Sequence, residues 1–101
     1  ENQMTILSRD TGLVEAALSA ANTFSDGLYT DDAFNFSVEG TWVGTITAQR
    51  SLDIGATWRD VDTFTSNIET YGFDPGPTVA YRVGFKAGEY TSGTANVRIG
   101  R

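Results

Sequence analysis

Apolar and polar residues alternate with a period of two in several short segments of the C-terminal two-thirds of the chain. The clearest segment runs from Val79 to Lys86, where apolar residues take every odd position. Successive side chains of a β-strand point to opposite faces, so this pattern predicts strands with one buried and one wet face. Clusters of Gly, Pro, Asp and Ser separate the segments at intervals of about ten residues. Such connections are too short for crossovers, which predicts antiparallel pairing.

This alternation predicts up to six strands and a common core. Gly40 is expected to end the first strand, and Ala87–Gly93 is expected to form a turn. The predicted strands are 34–38, 42–50, 57–65, 67–73, 79–86 and 94–99. The predicted core consists of Phe34, Phe36, Trp58, Tyr81, Val83, Phe85, Val97 and Ile99.

The length of 101 residues fits one domain. We expect an all-β fold, an antiparallel β-sandwich of Ig-like or related topology, over residues 11–101, preceded by an extended N-terminal arm at residues 1–10. The segment around Leu13–Ala21 leaves two readings open. Leu13, Val14, Ala17 and Leu18 have helical spacing, whereas alternation through Leu18 and Phe24 suits a strand.

Composition excludes several classes of function. The chain contains neither Cys nor His, which removes thiolate zinc sites and Ser-His-Asp or Cys-His catalysis. Its net charge of −6 repels phosphate backbones and anionic membrane surfaces. No apolar run reaches the ~18 residues of a membrane span. We therefore expect no nucleic-acid or membrane partner, no cofactor and no metal ion.

Two pairs of acidic residues are the remaining candidates for acid–base chemistry. Asp31 and Asp32 are adjacent, and Asp60 and Asp62 are separated by one residue. A glycosidase needs two carboxyl groups about 5 to 9.5 Å apart, and calcium needs several oxygen ligands. Acids at a turn and on the wet face of a strand explain both pairs without chemistry, so we predict no catalytic residue.

The segment from Ser51 to Trp58 resembles the Asp-box, Ser-x-Asp-x-Gly-x-Thr-Trp, of sialidase-type propellers and unrelated β domains. Its defining positions are Ser51, Asp53, Gly55, Thr57 and Trp58. The resemblance implies a structural turn remote from any catalytic centre. Asp53 is expected to accept hydrogen bonds from turn amides, and Gly55 to take a positive φ. One such motif in 101 residues is too little for a propeller, so it predicts a single hairpin.

A broader likeness spans residues 34–101. Gly40–Ser51, Tyr81–Gly84 and Thr91–Arg98, together with the Asp-box, resemble small β-sandwich proteins encoded in the virion gene clusters of tailed bacteriophages. The resemblance implies a non-catalytic virion structural protein, a capsid decoration (cement) protein or a tail accessory protein. Its expected partner is the major capsid protein or another virion protein, and its expected location is the capsid exterior or tail.

The N-terminal arm is the predicted attachment device. Met4, Ile6 and Leu7 are apolar residues in a polar segment that precedes the β domain. We expect them to dock on a neighbouring subunit or shell protein, giving a homo-oligomer. A trimer is implied by the resemblance alone. The alternative is an ordinary edge strand on the chain's own sheet.

A second function class remains open, a carbohydrate-binding or tail adhesin module. Aromatic side chains can form a platform for sugar rings, although most serve as core and edge material in a sandwich of this size. A free aromatic cleft in the monomer would distinguish this class. The candidate aromatic residues are Tyr29, Trp42, Trp58, Tyr71 and Tyr90.

Overall fold

The computed structural model describes residues 7–8, 12–30, 32–74 and 79–101. Strands, turns and loops make up these residues, and among them there is no helix that could cross a membrane. The predicted all-β class and antiparallel pairing are confirmed, except that one pair of short strands is parallel. The strands are β1 (Leu7–Ser8), β2 (Leu13–Leu18), β3 (Thr23–Phe24), β4 (Gly27–Tyr29), β5 (Ala33–Ser51), β6 (Arg59–Phe64), β7 (Ile68–Phe73) and β8 (Ala80–Gly100).

Two long strands, β5 and β8, form the framework of the sheet. They pair antiparallel from Asn35–Gly100 to Ser51–Ala80, and the register shifts on either side of Gly44. Gly44 has a φ of 148°, and a Cβ there would lie 2.4 Å from the carbonyl oxygen of Glu89. Glycine therefore allows the two strands to approach closely while they bend.

Two predicted strand boundaries are wrong, because glycines bend these strands without ending them. The strand does not end at Gly40, and Ala87–Gly93 is part of β8 rather than a turn between strands. Gly93 has a φ of 86°, and a Cβ there would lie 2.2 Å from the carbonyl oxygen of Thr41. These glycines act as bends within paired strands, because the ladder between β5 and β8 continues past them.

The bent sheet has two layers, and different short strands complete each of them. In the first layer, β7 pairs with the first half of β5, and β2 pairs with the second half of β8. In the second layer, β6 pairs with the last third of β5, while β3 and β4 pair with the first half of β8. β1 adds to β4 as a parallel strand. Because β5 and β8 run through both layers, this is one continuous sheet folded over on itself.

Aromatic contacts join the two layers around one core. The rings of Phe34 and Tyr81 are 4.4 Å apart between centroids, and those of Phe36 and Phe64 are 5.5 Å apart. Phe85 is fully buried at the bend, where Trp42 and Tyr90 pack on its ring. Seven of the eight predicted core residues are buried. The eighth, Trp58, is only half-buried and lies outside the core.

The N-terminal third adopts the extended alternative. β2 pairs with β8 through six residues, and its Val14 and Leu18 are buried in the core. Leu18 lies opposite Ala95, so the sheet edge of β8 selects the strand over the helix that the spacing also allowed. In the predicted arm, the backbone of Leu7 and Ser8 forms β1 in the chain's own sheet, as in the edge-strand alternative. Met4 and Ile6 lie outside the described residues.

Candidate functional site

The Asp-box forms a compact loop between β5 and β6. The Ser51 hydroxyl donates to Asp53 Oδ1 at 2.8 Å and accepts from the Gly55 amide at 2.8 Å. The Thr57 amide donates to Asp53 Oδ1 at 2.9 Å, and the Thr57 hydroxyl donates to Oδ2 at 2.6 Å. Gly55 has a φ of 84°, and Ile54 also takes a left-handed conformation at 61°. The side chains of the motif therefore satisfy the polar groups of their own turn.

This loop also determines the electrostatics of Asp53. The hydroxyl and amide of Thr57, followed by the hydroxyl of Ser51, lower the pKa of Asp53 to about 2. Hydrogen bonds to the charged form of a carboxyl favour that form. Asp53 is thus an ionised anchor for the turn at neutral pH, and its oxygens are occupied by the loop itself.

Trp58, the last residue of the motif, contacts a cation on the outer face of the second layer. Its ring lies 4.5 Å from the guanidinium carbon of Arg82, and the ring of Phe24 lies 4.2 Å from the same atom. Burial lowers the pKa of Arg82 to about 10, so the guanidinium stays charged at neutral pH. An arginine stacked between two aromatic rings is a stabilising cation–π arrangement.

A chain of side-chain hydrogen bonds extends from this stack to the edge strand β6. Arg82 Nε donates to Gln49 Oε1 at 2.9 Å, and Gln49 Nε2 donates to Asp60 Oδ1 at 2.8 Å. Lys86 Nζ lies 2.6 Å from Asp60 Oδ2. The hydrogen bonds from Lys86 and Gln49 lower the pKa of Asp60. We refer to Phe24, Trp58, Arg82, Gln49, Asp60 and Lys86 as the arginine stack.

Sequence analysis missed the arginine stack, although one signal was present. Arg82 lies on the outward side of β8, two residues from Gly84. A Cβ at Gly84 would lie 2.8 Å from Cδ2 of Phe24. The missing side chain leaves room for Phe24 to pack beside the guanidinium. The sequence signal is an arginine followed two residues later by a glycine on the polar face of a strand, since the glycine leaves space for an aromatic ring beside the guanidinium.

The other candidate carboxylates that the structure describes, Asp32 and Asp62, are both exposed. Asp31 lies outside the described residues, and Asp32 is exposed immediately before β5. Asp62 is exposed on β6 and accepts a hydrogen bond from the adjacent Thr63 amide at 2.9 Å. In the described ranges, no three acidic residues come together in a group that could hold a metal ion.

The five candidate aromatic residues, all within described ranges, do not form a common platform. Trp42 and Tyr90 pack on Phe85, and Trp58 packs on Arg82. Tyr29 is half-buried in β4. Tyr71 alone is widely open, with 84% of its surface exposed on the edge strand β7.

Beside Tyr71, the outer face of the first layer forms a shallow groove of about 340 Å³. Asn35 lies opposite Tyr71 in the ladder, and Arg98 Nη1 donates to Asn35 Oδ1 at 3.0 Å. Ser37 and Glu69 line the same groove. This groove combines one exposed aromatic ring with several polar side chains, and it is the second candidate site on the molecule.

Comparison with protein-family models, curated proteins and solved structures gives no match. The functional proposal therefore depends on the sequence motifs and on the chemistry of the described residues.

Proposed function

We propose that this chain is a non-catalytic structural protein of a tailed-bacteriophage virion, a decoration or cement protein on the capsid exterior. The observation that carries the proposal concerns the segments that resemble such proteins. Gly40–Ser51 lies opposite Tyr81–Gly84 and opposite residues 92–95 of Thr91–Arg98 in the β5–β8 ladder, and the Asp-box closes the hairpin that follows β5. The likeness therefore covers the framework of the fold rather than scattered surface positions.

The engagement of the acidic side chains supports a structural role. Asp53 is held in its turn, and Asp60 is held by Gln49 and Lys86. Asp74 accepts hydrogen bonds from the Tyr81 hydroxyl at 2.8 Å and from Arg50 at 3.3 Å, which ties the end of the first layer to the second. These carboxylates stabilise loops and layer contacts. The chain also lacks the His and Cys residues that most nucleophilic mechanisms use.

The proposed attachment segment is the part of the arm that precedes β1. Because the backbone of Leu7 and Ser8 pairs with Gly27 and Leu28, Leu7 belongs to the chain's own sheet. The apolar residues that precede β1 are Met4 and Ile6. We propose that residues 1–6 contact the major capsid protein or a second copy of the chain, and that the second contact produces a homo-oligomer. The trimeric state depends on the resemblance to decoration proteins.

The first test is the copy number in particles. In purified particles of the phage that encodes this chain, quantitative mass spectrometry should find it at a copy number close to that of the major capsid protein. A few copies per particle would assign it to the tail instead. Absence from washed particles would overturn the proposal.

The second test targets the arm. Deletion of residues 1–6, which leaves β1 intact, should lower particle occupancy at least tenfold, and Ile6→Asp should do the same because it places a charge in an apolar contact. Thr5→Asp adds the same charge at a polar position of the same segment and is the control. Equal occupancy of Ile6→Asp and Thr5→Asp would show that the apolar residues of the arm are not the attachment device.

A further inference from the structure

We propose that the outer face of the first layer binds a neutral oligosaccharide, with Tyr71 as the stacking surface and the Asn35–Arg98 pair as hydrogen-bonding groups. We call this surface the Tyr71 face. It lies outside the Asp-box and the arginine stack, and it adds a ligand-binding activity to the structural role proposed above.

The direction of the aromatic side chains in β7 is determined by Gly72. A Cβ at Gly72 would lie 2.7 Å from Cζ of the buried Phe34, so position 72 faces the core. Side chains alternate along a strand, so Tyr71 and Phe73 both point outward. Their exposed fractions are 84% and 68%. Residues two apart in a strand are about 7 Å apart, so the edge strand presents two neighbouring rings to solvent.

Polar groups lie directly beside these rings. Asn35 is the ladder partner of Tyr71 on one side and of Gly100 on the other. Gly100 has no side chain, and the Arg98 guanidinium lies over it beside Asn35: a Cβ at Gly100 would be 3.4 Å from Arg98 Nη1 and from Asn35 Oδ1. The hydrogen bond from Arg98 to Asn35 Oδ1 positions the amide and the guanidinium side by side. Glu69, on the same side of β7 as Tyr71, adds a carboxylate acceptor to the groove.

A sugar ring matches this combination of groups. Its hydroxyls both donate and accept hydrogen bonds, and amide, guanidinium and carboxylate groups supply donors and acceptors close together. Its C–H face is apolar and can lie against an aromatic ring that is amphipathic and rigid. The open shape of the groove suits a segment of an extended chain better than a small molecule, which needs an enclosed pocket.

Charge favours a neutral ligand. Among the described residues, the outward side chains of this layer include Glu15, Glu39 and Glu69 and one cation, Arg98. The whole chain carries −6. An anionic saccharide, a nucleic acid or the same acidic face of a second copy would meet like charge here. A neutral oligosaccharide meets no such repulsion.

The test is a titration of the isotopically labelled full chain followed by amide chemical shifts. The probes are maltohexaose, cellohexaose, xylohexaose and chitohexaose, each up to about 10 mM, a range that detects the millimolar affinities of weak sites. We expect at least one probe to shift the amides of Asn35, Ser37, Tyr71 and Arg98. If none of the four probes shifts them, the proposal is overturned.

Variants then assign the contacts. Tyr71→Ala should raise the Kd at least tenfold, whereas Tyr71→Phe, which keeps the ring, should change it less than threefold. Leu52→Ala removes another exposed apolar side chain, one in the Asp-box loop, and is the control. Equal binding by Tyr71→Ala and wild type would overturn the proposal.

Sedimentation of the same variants separates a sugar site from a protein contact. We expect Tyr71→Ala to leave the oligomeric state unchanged. A wild-type oligomer that dissociates in Tyr71→Ala and binds none of the sugars would identify this face as a contact between copies and overturn the proposal. The arm variants above leave Tyr71 in place, so loss of particle attachment and loss of sugar binding are measured independently.

Discussion

The outer faces of the two layers differ in how their polar side chains are used, although both are formed by the same two long strands. On the second layer, Arg82 lies between two aromatic rings and hydrogen-bonds to Gln49. On the first layer, Arg98 contacts Asn35 at a surface where Tyr71 is 84% exposed. On the outer face of the second layer, side chains of the protein pack over Arg82. On the outer face of the first layer, Tyr71 is exposed to solvent.

Strand β5 shows this difference within one element. Thr47 and Gln49 are outward positions of β5, yet they are 1% and 8% exposed. Asn35 is an outward position of the same strand and is exposed. Thr47 lies opposite Gly84, against which Phe24 packs. A polar position in a strand is therefore buried or open according to what a distant segment places over it. A covered face and an open face can arise from the same alternating pattern.

The largest expected effect comes from a substitution in the core that the two layers share. Phe85 is fully buried at the bend and contacts Trp42 and Tyr90 at centroid distances of 5.8 and 5.0 Å. Phe85→Ala should lower the free energy of unfolding by about 3 to 5 kcal/mol, because it removes a ring and leaves a cavity. Urea denaturation measures this change. If one layer stayed protected in amide exchange while the other unfolded, the layers would not share one cooperative core.

A smaller effect compares the two faces with the same substitution. Arg82→Lys should lower the free energy of unfolding by about 1 to 2 kcal/mol, because lysine has no planar guanidinium that could stack between Phe24 and Trp58. Arg98→Lys, on the open face, should change it by less than about 0.5 kcal/mol. Thermal and urea midpoints of both variants give the comparison. Equal losses would contradict the distinction between a covered and an open face.

The smallest expected effect concerns the Asp-box and appears as a pH dependence. The folded pKa of Asp53, about 2, lies below its ordinary value of 3.8. A depressed pKa means that the folded state favours the ionised form, so this contribution to stability is present above about pH 4 and is lost as the pH falls towards 2. Asp53→Asn should therefore flatten the decline in urea midpoint between pH 4 and about 2. Glu39→Gln, an exposed acid on the first layer, is the control and should retain the wild-type decline.

Several features could be predicted from the chain because they depend on neighbouring residues. The burial of Tyr81, Val83 and Phe85 follows from alternation, and the hairpin at the Asp-box follows from Asp53 and Gly55. The prediction that Trp58 belongs to the core was wrong, because its aromatic side chain packs on Arg82 instead. The local sequence does not reveal this distant partner. The choice of strand at 13–18 was open because the edge of β8 that selects it is about 80 residues away in the chain.

The sequence by itself determined the class of fold, since the period-two alternation and the turn residues of the C-terminal two-thirds are local patterns that indicate strands. It also determined the hydrogen bonds of the turn at Ser51–Thr57, where all partners lie within a few residues. Only the tertiary structure decided that β5 and β8 bend at glycines instead of ending, that Arg82 is enclosed and that Tyr71 is free. These outcomes depend on which segments meet across the folded sheet, and contacts between residues far apart in sequence leave no local pattern in the chain.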